Sequence, residues 1–180
     1  MHTHAFEGRH TRRYDVLARR LLRRAYRRIA ADLVAGTPDG ADVLDVGTGP
    51  GVLLMELAER RPDLRLVGLD LSEDMVTLAQ KNLGDRATAR VGDVTALPFA
   101  TDSFDLVVTS FSAHHWDDPA AAVPEIDRVL RPGGRFVLYD FGRAPYDTID
   151  HAASGWTVSH DRFRTGLPFF PRSYRHVLTS

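Results

Sequence analysis

The strongest constraint on the fold is the loop Asp45-Val46-Gly47-Thr48-Gly49-Pro50-Gly51, set between the apolar run Val43-Leu44 and a helix-patterned stretch from Gly51 to Arg61. Glycines at alternate positions let the backbone take positive φ and approach a ligand closely at a helix N-terminus. The spacing also excludes two common cradles. A dinucleotide fingerprint places its third glycine three residues after the second, where this chain has Val52. No Gly-Lys-Ser/Thr follows either, and the only lysine is Lys81, so a P-loop is ruled out. Asp45 places a carboxylate at the loop entrance, which suits a cationic amino group and opposes a pyrophosphate.

Beyond Gly40, short apolar runs alternate with helical patterns. Val43–Val46, Leu64–Asp70, Ala87–Val91, Phe104–Thr109 and Arg135–Tyr139 read as buried strands. Ser72 is a good N-cap for a helix to about Asn82, and Asp118-Pro119 opens another that closes at Arg131-Pro132-Gly133-Gly134. This alternation predicts a doubly wound α/β fold of Rossmann-like type, a mostly parallel sheet covered on both faces. Stretches around Trp156–Phe163 and Tyr174–Thr179 read as a terminal antiparallel pair. The chain divides into an arm (1–36), a core (41–141) and a short strand region (142–180) of one domain.

The 180 residues carry a net charge of −1, which hides an asymmetry: residues 1–36 sum to +6 and the remainder to −7. The acidic body is not built to neutralise a run of phosphates, so a nucleic-acid role is disfavoured. From Tyr14 to Val34, Leu17, Leu21, Leu22, Ala25, Ile29 and Leu33 share one face of an amphipathic helix, opposite an arginine face. Such a helix either packs as a lid or rests on an anionic membrane surface. The absence of cysteine removes disulfides, thiol nucleophiles and thiolate-held clusters. Without a long apolar span or signal-peptide core, the chain reads as soluble and cytoplasmic. Its oligomeric state is not legible.

Asp70 ends the second strand nineteen residues past Gly51, the position from which a carboxylate accepts ribose hydroxyls. It also stands just before Ser72, where it belongs equally well to a helix cap. In order and spacing, Val43–Gly51, Val67–Met75, Gly92–Phe99, Phe104–Val108 and Leu130–Gly134 resemble the successive motifs of class I S-adenosylmethionine-dependent methyltransferases, nearest the ubiquinone/menaquinone-biosynthesis C-methyltransferase branch. The resemblance covers about Ala41 to Phe141. It implies a seven-stranded sheet with an antiparallel last strand, S-adenosylmethionine as cofactor and S-adenosylhomocysteine as product. Carried over, Gly47, Thr48, Gly49 and Gly51 wrap the methionine moiety, Asp45 meets its ammonium and Asp70 holds the ribose. Leu71 and Met75 flank the adenine, Asp93 receives its exocyclic amine, Val94 offers a backbone contact and Ser110 lies beside the sulfonium. The stretch Gly142–Gly155 departs from the family by being short for a crossover helix with a substrate lid.

Methyl transfer from a sulfonium needs alignment of acceptor, carbon and sulfur more than it needs a protein nucleophile. A base helps when the acceptor must lose a proton, and neutral histidine suits that task. Ser112-Ala113-His114-His115-Trp116 follows the fourth strand, where the resemblance implies the acceptor cavity. His115 is the preferred base, with His114, Trp116 and Tyr14 at the acceptor; adjacent histidines without a third ligand do not make a metal site. The expected activity is methylation of a small molecule on carbon or oxygen, such as an aromatic or lipid-like acceptor. The competing readings are a non-catalytic S-adenosylmethionine-binding sensor or partner subunit, and a nicotinamide oxidoreductase, which the glycine spacing disfavours.

Overall fold

The structure is a computed structural model, and it describes residues 22–167 and 171–179. Tyr14, and the start of the basic helix, lie outside the described residues. The order of elements is α1 (Arg23–Val34), β1 (Asp42–Val46), α2 (Val52–Arg60), β2 (Arg65–Asp70), α3 (Glu73–Leu83), β3 (Thr88–Val91), β4 (Phe104–Ser110), α4 (Pro119–Val129), β5 (Leu130–Phe141), α5 (Tyr146–Ala152), β6 (Thr157–Phe163) and β7 (Ser173–Thr179). Short 3₁₀ turns occupy Gly84–Arg86 and Ala113–His115.

The strands form one seven-stranded sheet in the order β3-β2-β1-β4-β5-β7-β6. β1 to β5 pair in parallel, and β7 runs antiparallel between β5 and β6. Both the doubly wound sheet and the terminal antiparallel pair match the expectation. The caps are also where the sequence placed them: Ser72 Oγ accepts from the Met75 N–H, and Asp118 Oδ1 accepts from the Ala121 N–H with Pro119 behind it.

Successive residues of a strand point to opposite faces, so β1, β4 and β5 are apolar along most of their buried length, with the buried polar residues Asp45, Thr109, Ser110 and Asp140 near their carboxyl ends. Val43, Leu106, Val108, Val137 and Tyr139 pack with α1, α2 and α3 on one face. Leu44, Val46, Val107, Phe136 and Leu138 pack with α4 and α5 on the other.

α1 buries Ala25, Tyr26, Ile29, Ala30 and Leu33, and full burial of Ile29 and Leu33 contributes about 1.5–3 kcal/mol each. Its apolar face therefore lies on the protein's own core. On its polar face, Arg23 and Arg27 reach Glu56 of α2 at 3.0 and 3.5 Å, and Arg28 donates to the Arg164 carbonyl. Asp32 accepts from the Tyr139 hydroxyl of β5 and pairs with Arg175 of β7 at 2.7 Å. No helix among the described residues is long and apolar enough to cross a membrane.

Candidate active site

Because β1 to β5 run in one direction, the loops after them collect at a single edge, and the strand order reverses between β1 and β4. That crevice is where open α/β sheets bind ligands. The glycine loop leaves β1 there and is tied to β2, with the Gly47 and Thr48 N–H groups both donating to the Leu69 carbonyl at 2.8 and 2.9 Å. Gly47 has φ +71°, and a Cβ on it would lie 1.9 Å from Ser112 Oγ, so the turn after β4 is pressed against this loop. Gly49, at φ +52°, would point a Cβ into open space. Gly51, in the left-handed region, caps α2.

Asp45 is fully buried. Its Oδ2 accepts from the Thr48 hydroxyl at 2.9 Å, whereas Oδ1 has no partner. An unsatisfied buried polar atom costs about 1–3 kcal/mol. Burial pushes the carboxyl up to about 7, the Asp70 charge adds to the rise and the Thr48 bond opposes it.

Asp70 spans the crevice. Its Oδ2 accepts from the Gly49 N–H at 2.8 Å and its Oδ1 from the Ser72 N–H at 3.0 Å. Burial raises its pKa, and donors from Ser72, Gly49 and Leu71 work against that rise. Asp70 thus ties the glycine loop to the start of α3, in keeping with the cap reading.

Beside it Leu71 is 65% exposed although apolar, whereas Met75 is buried in α3. Asp93, after β3, is exposed and closes a turn by accepting from the Thr95 N–H and hydroxyl. Val94 and Ser110 are buried at the same edge.

The two imidazoles of the turn after β4 lie against one another, ring centroids 4.0 Å apart, but differ in their partners. His114 Nδ1 lies 2.7 Å from Oδ1 of the fully buried Asp140, whose Oδ2 also accepts from the His114 N–H at 3.1 Å. His115 is exposed, and its ring makes no hydrogen bond among the described residues. Burial and the neighbouring His114 lower its pKa. The Trp116 ring stacks on Phe136 within the core cluster of the α4/α5 face. The Phe141 ring lies 5.2 Å from Phe111, which in turn meets Tyr26 of α1 edge-on at 5.9 Å.

Asp140 and Ser112 escaped the sequence reading. Asp140 had one available signal, a lone acid at the carboxyl end of an otherwise apolar strand. A separate open depression of about 470 Å³ between α4 and α5 is lined by Ala120, Asp147, Thr148, His151 and Ala152, and holds none of these residues.

Residues 44–138 match the methyltransferase domain family. The chain belongs to that family. The chain is 34% identical over 148 residues to the ubiquinone/menaquinone biosynthesis C-methyltransferase of Geotalea daltonii, covering 77% of this chain and 63% of the relative. It is 39% identical over 136 residues to the demethylmenaquinone methyltransferase of Deinococcus radiodurans, covering 72% and 56%. It therefore spans about three fifths of the length of these relatives.

A SAM-dependent methyltransferase from Aquifex aeolicus superposes with a TM-score of 0.77 at 18% identity, over 97% of this chain and 98% of that one, which establishes the shared fold. The resemblance read from five collinear motifs is borne out. The residues present fit the chemistry of S-adenosylmethionine: Asp45 has an unpaired carboxylate oxygen that an ammonium would satisfy, Gly49 opens onto free space, and exposed, apolar Leu71 adjoins the Asp70 carboxylate.

Proposed function

We propose that this methyltransferase moves a methyl group from S-adenosylmethionine to a carbon or oxygen atom of a small-molecule acceptor. The observation that carries the reading is the unpaired, buried Asp45 Oδ1 beneath a glycine loop whose Gly49 N–H is held by Asp70. A buried carboxylate oxygen left without a donor is compensated when a cationic ligand group supplies one.

When bound, the sulfonium supplies a methyl carbon already activated for in-line displacement. The chain's own residues do the rest. Asp45 would take the amino-acid ammonium, and Gly47, Thr48, Gly49 and Gly51 would line its carboxylate side. Asp70 would take the ribose hydroxyls. Leu71 and Met75 would bracket the adenine, with Asp93 and Val94 at its edge. Ser110 and the turn after β4 would face the sulfonium, where the acceptor is aligned and water excluded. The quinone-related names of the relatives support an aromatic, lipid-like acceptor.

Calorimetric titration with S-adenosylmethionine, S-adenosylhomocysteine and NAD tests the reading. Binding of the first two and not of NAD is expected, weakened by about 1.5–3 kcal/mol in Asp70→Ala through loss of charge-assisted hydrogen bonds. Binding of NAD alone would overturn it.

A further inference from the structure

The turn after β4 carries a histidine braced by an acid that the fold buries completely. Asp140 is 0% exposed and receives three donors: the His114 N–H, the Phe141 N–H at 2.7 Å and His114 Nδ1. An acid used as an acceptor by every neighbour places a proton of His114 on Nδ1, so in the neutral imidazole the lone pair is carried by Nε2. No hydrogen bond to Nε2 exists among the described residues, and the side chain is only 6% exposed.

The turn also lies against the cofactor loop, because Ser112 fills the space a side chain at Gly47 would need. On its other side the His114 ring lies 5.3 Å from Phe141, the first of the rings Phe141, Phe111 and Tyr26 that run back to α1. An imidazole with one nitrogen anchored and the other open, next to an aromatic wall, has the geometry of an oriented base.

We propose that His114, oriented by Asp140, is the general base of the transfer, and that the acceptor is a hydroxy-aromatic compound. This rests on the methyltransferase reading above. Nε2 takes the hydroxyl proton. The electron pair of that O–H bond forms the new bond to the methyl carbon, directly from oxygen or through the ring from carbon. The methyl–sulfur bond breaks with its pair on sulfur, leaving a neutral thioether and a His114 imidazolium that releases its proton to solvent. Where carbon is methylated, the ring proton passes to solvent and the ring oxygen instead recovers a proton from the His114 imidazolium, which restores the aromatic hydroxyl compound. Asp140 is a positioning residue. The other charged or titratable groups around the turn are His115, whose ring centroid is 4.0 Å away, Arg143, which lies over the Phe141 ring, and Tyr146 of α5, whose ionisation burial and the Asp140 charge disfavour.

The test uses the full chain and a series of substituted phenols and hydroquinones whose hydroxyl pKa spans about 7 to 10. His114→Asn keeps a side-chain N–H for Asp140 and removes the base. At neutral pH it should slow methylation of the least acidic acceptors by about 10²-fold. The loss should shrink for acidic acceptors, and close as pH rises past each acceptor's own pKa, with cofactor affinity unchanged. An equal loss for all acceptors at every pH would make His114 structural and overturn the proposal.

Nitrogen-15 spectra of the wild-type histidines give a check that needs no variant. They should show His114 protonated at Nδ1 and bare at Nε2, and the opposite tautomer would also overturn it. A wild-type chain that binds cofactor yet methylates no hydroxy-aromatic refutes the acceptor class. A chain that binds no cofactor refutes the underlying function instead.

Discussion

Asp45 is a candidate site residue whose chemistry the fold alters strongly. Its folded pKa, about 7, stands above the ordinary value of 3.8. The stability it contributes is therefore complete at pH values below the unfolded pKa, and is lost as pH rises through about 7. Cofactor binding should reverse this preference, since an ammonium stabilises the ionised form. Affinity for S-adenosylmethionine is expected to fall by up to about tenfold per pH unit below neutrality, with proton release visible as a buffer-dependent binding heat. Asp45→Asn should flatten that slope; affinity that is already flat in the wild type would remove Asp45 from the ammonium site. The glycine loop was legible in the sequence because its residues are consecutive, and Asp70 stood out as an acid ending the next apolar strand. The brace on His114 was not legible, because its partner Asp140 lies 26 residues further on with no motif linking the two.

At the scale of elements, α1 shows how a basic helix can serve the core. Glu56 is almost wholly buried on α2 and pairs with Arg23, Arg27 and Arg60. Burial alone would raise its pKa, but the bonds from Arg60 and Arg23 prevail and lower it. Glu56→Gln should cost about 1–3 kcal/mol in denaturant unfolding, the range for charged hydrogen bonds with partly exposed partners. A wild-type midpoint would mean that α1 is seated by its apolar face alone. Helix caps at Ser72 and Asp118 were legible because capping is a three-residue affair. β5 begins five residues earlier than the expected Arg135, at Leu130. Pro132-Gly133-Gly134 reads as a pure turn, and only the pairing of Leu130 with Phe104 across a register shift draws that corner into the strand.

For the whole molecule, protection should follow position in the sheet. β1, β4 and β5 lie inside the sheet with helices on both faces, whereas β6 is an exposed edge strand. Amide exchange should therefore be slowest in β1, β4 and β5 and fastest in β6; equal protection of β6 would contradict the strand order. The bolt between α1 and the far sheet bears on how a nascent chain matures. Emerging from the ribosome, α1 can settle on α2 early, since Arg23 and Glu56 are 33 residues apart. Its second fastening waits, because Asp32 and Tyr139 are separated by 107 residues. Tyr139 and Asp140 are consecutive, so the residue that locks the first helix and the residue that orients His114 leave the exit tunnel together. A half-synthesised chain thus has neither its lock nor its oriented imidazole.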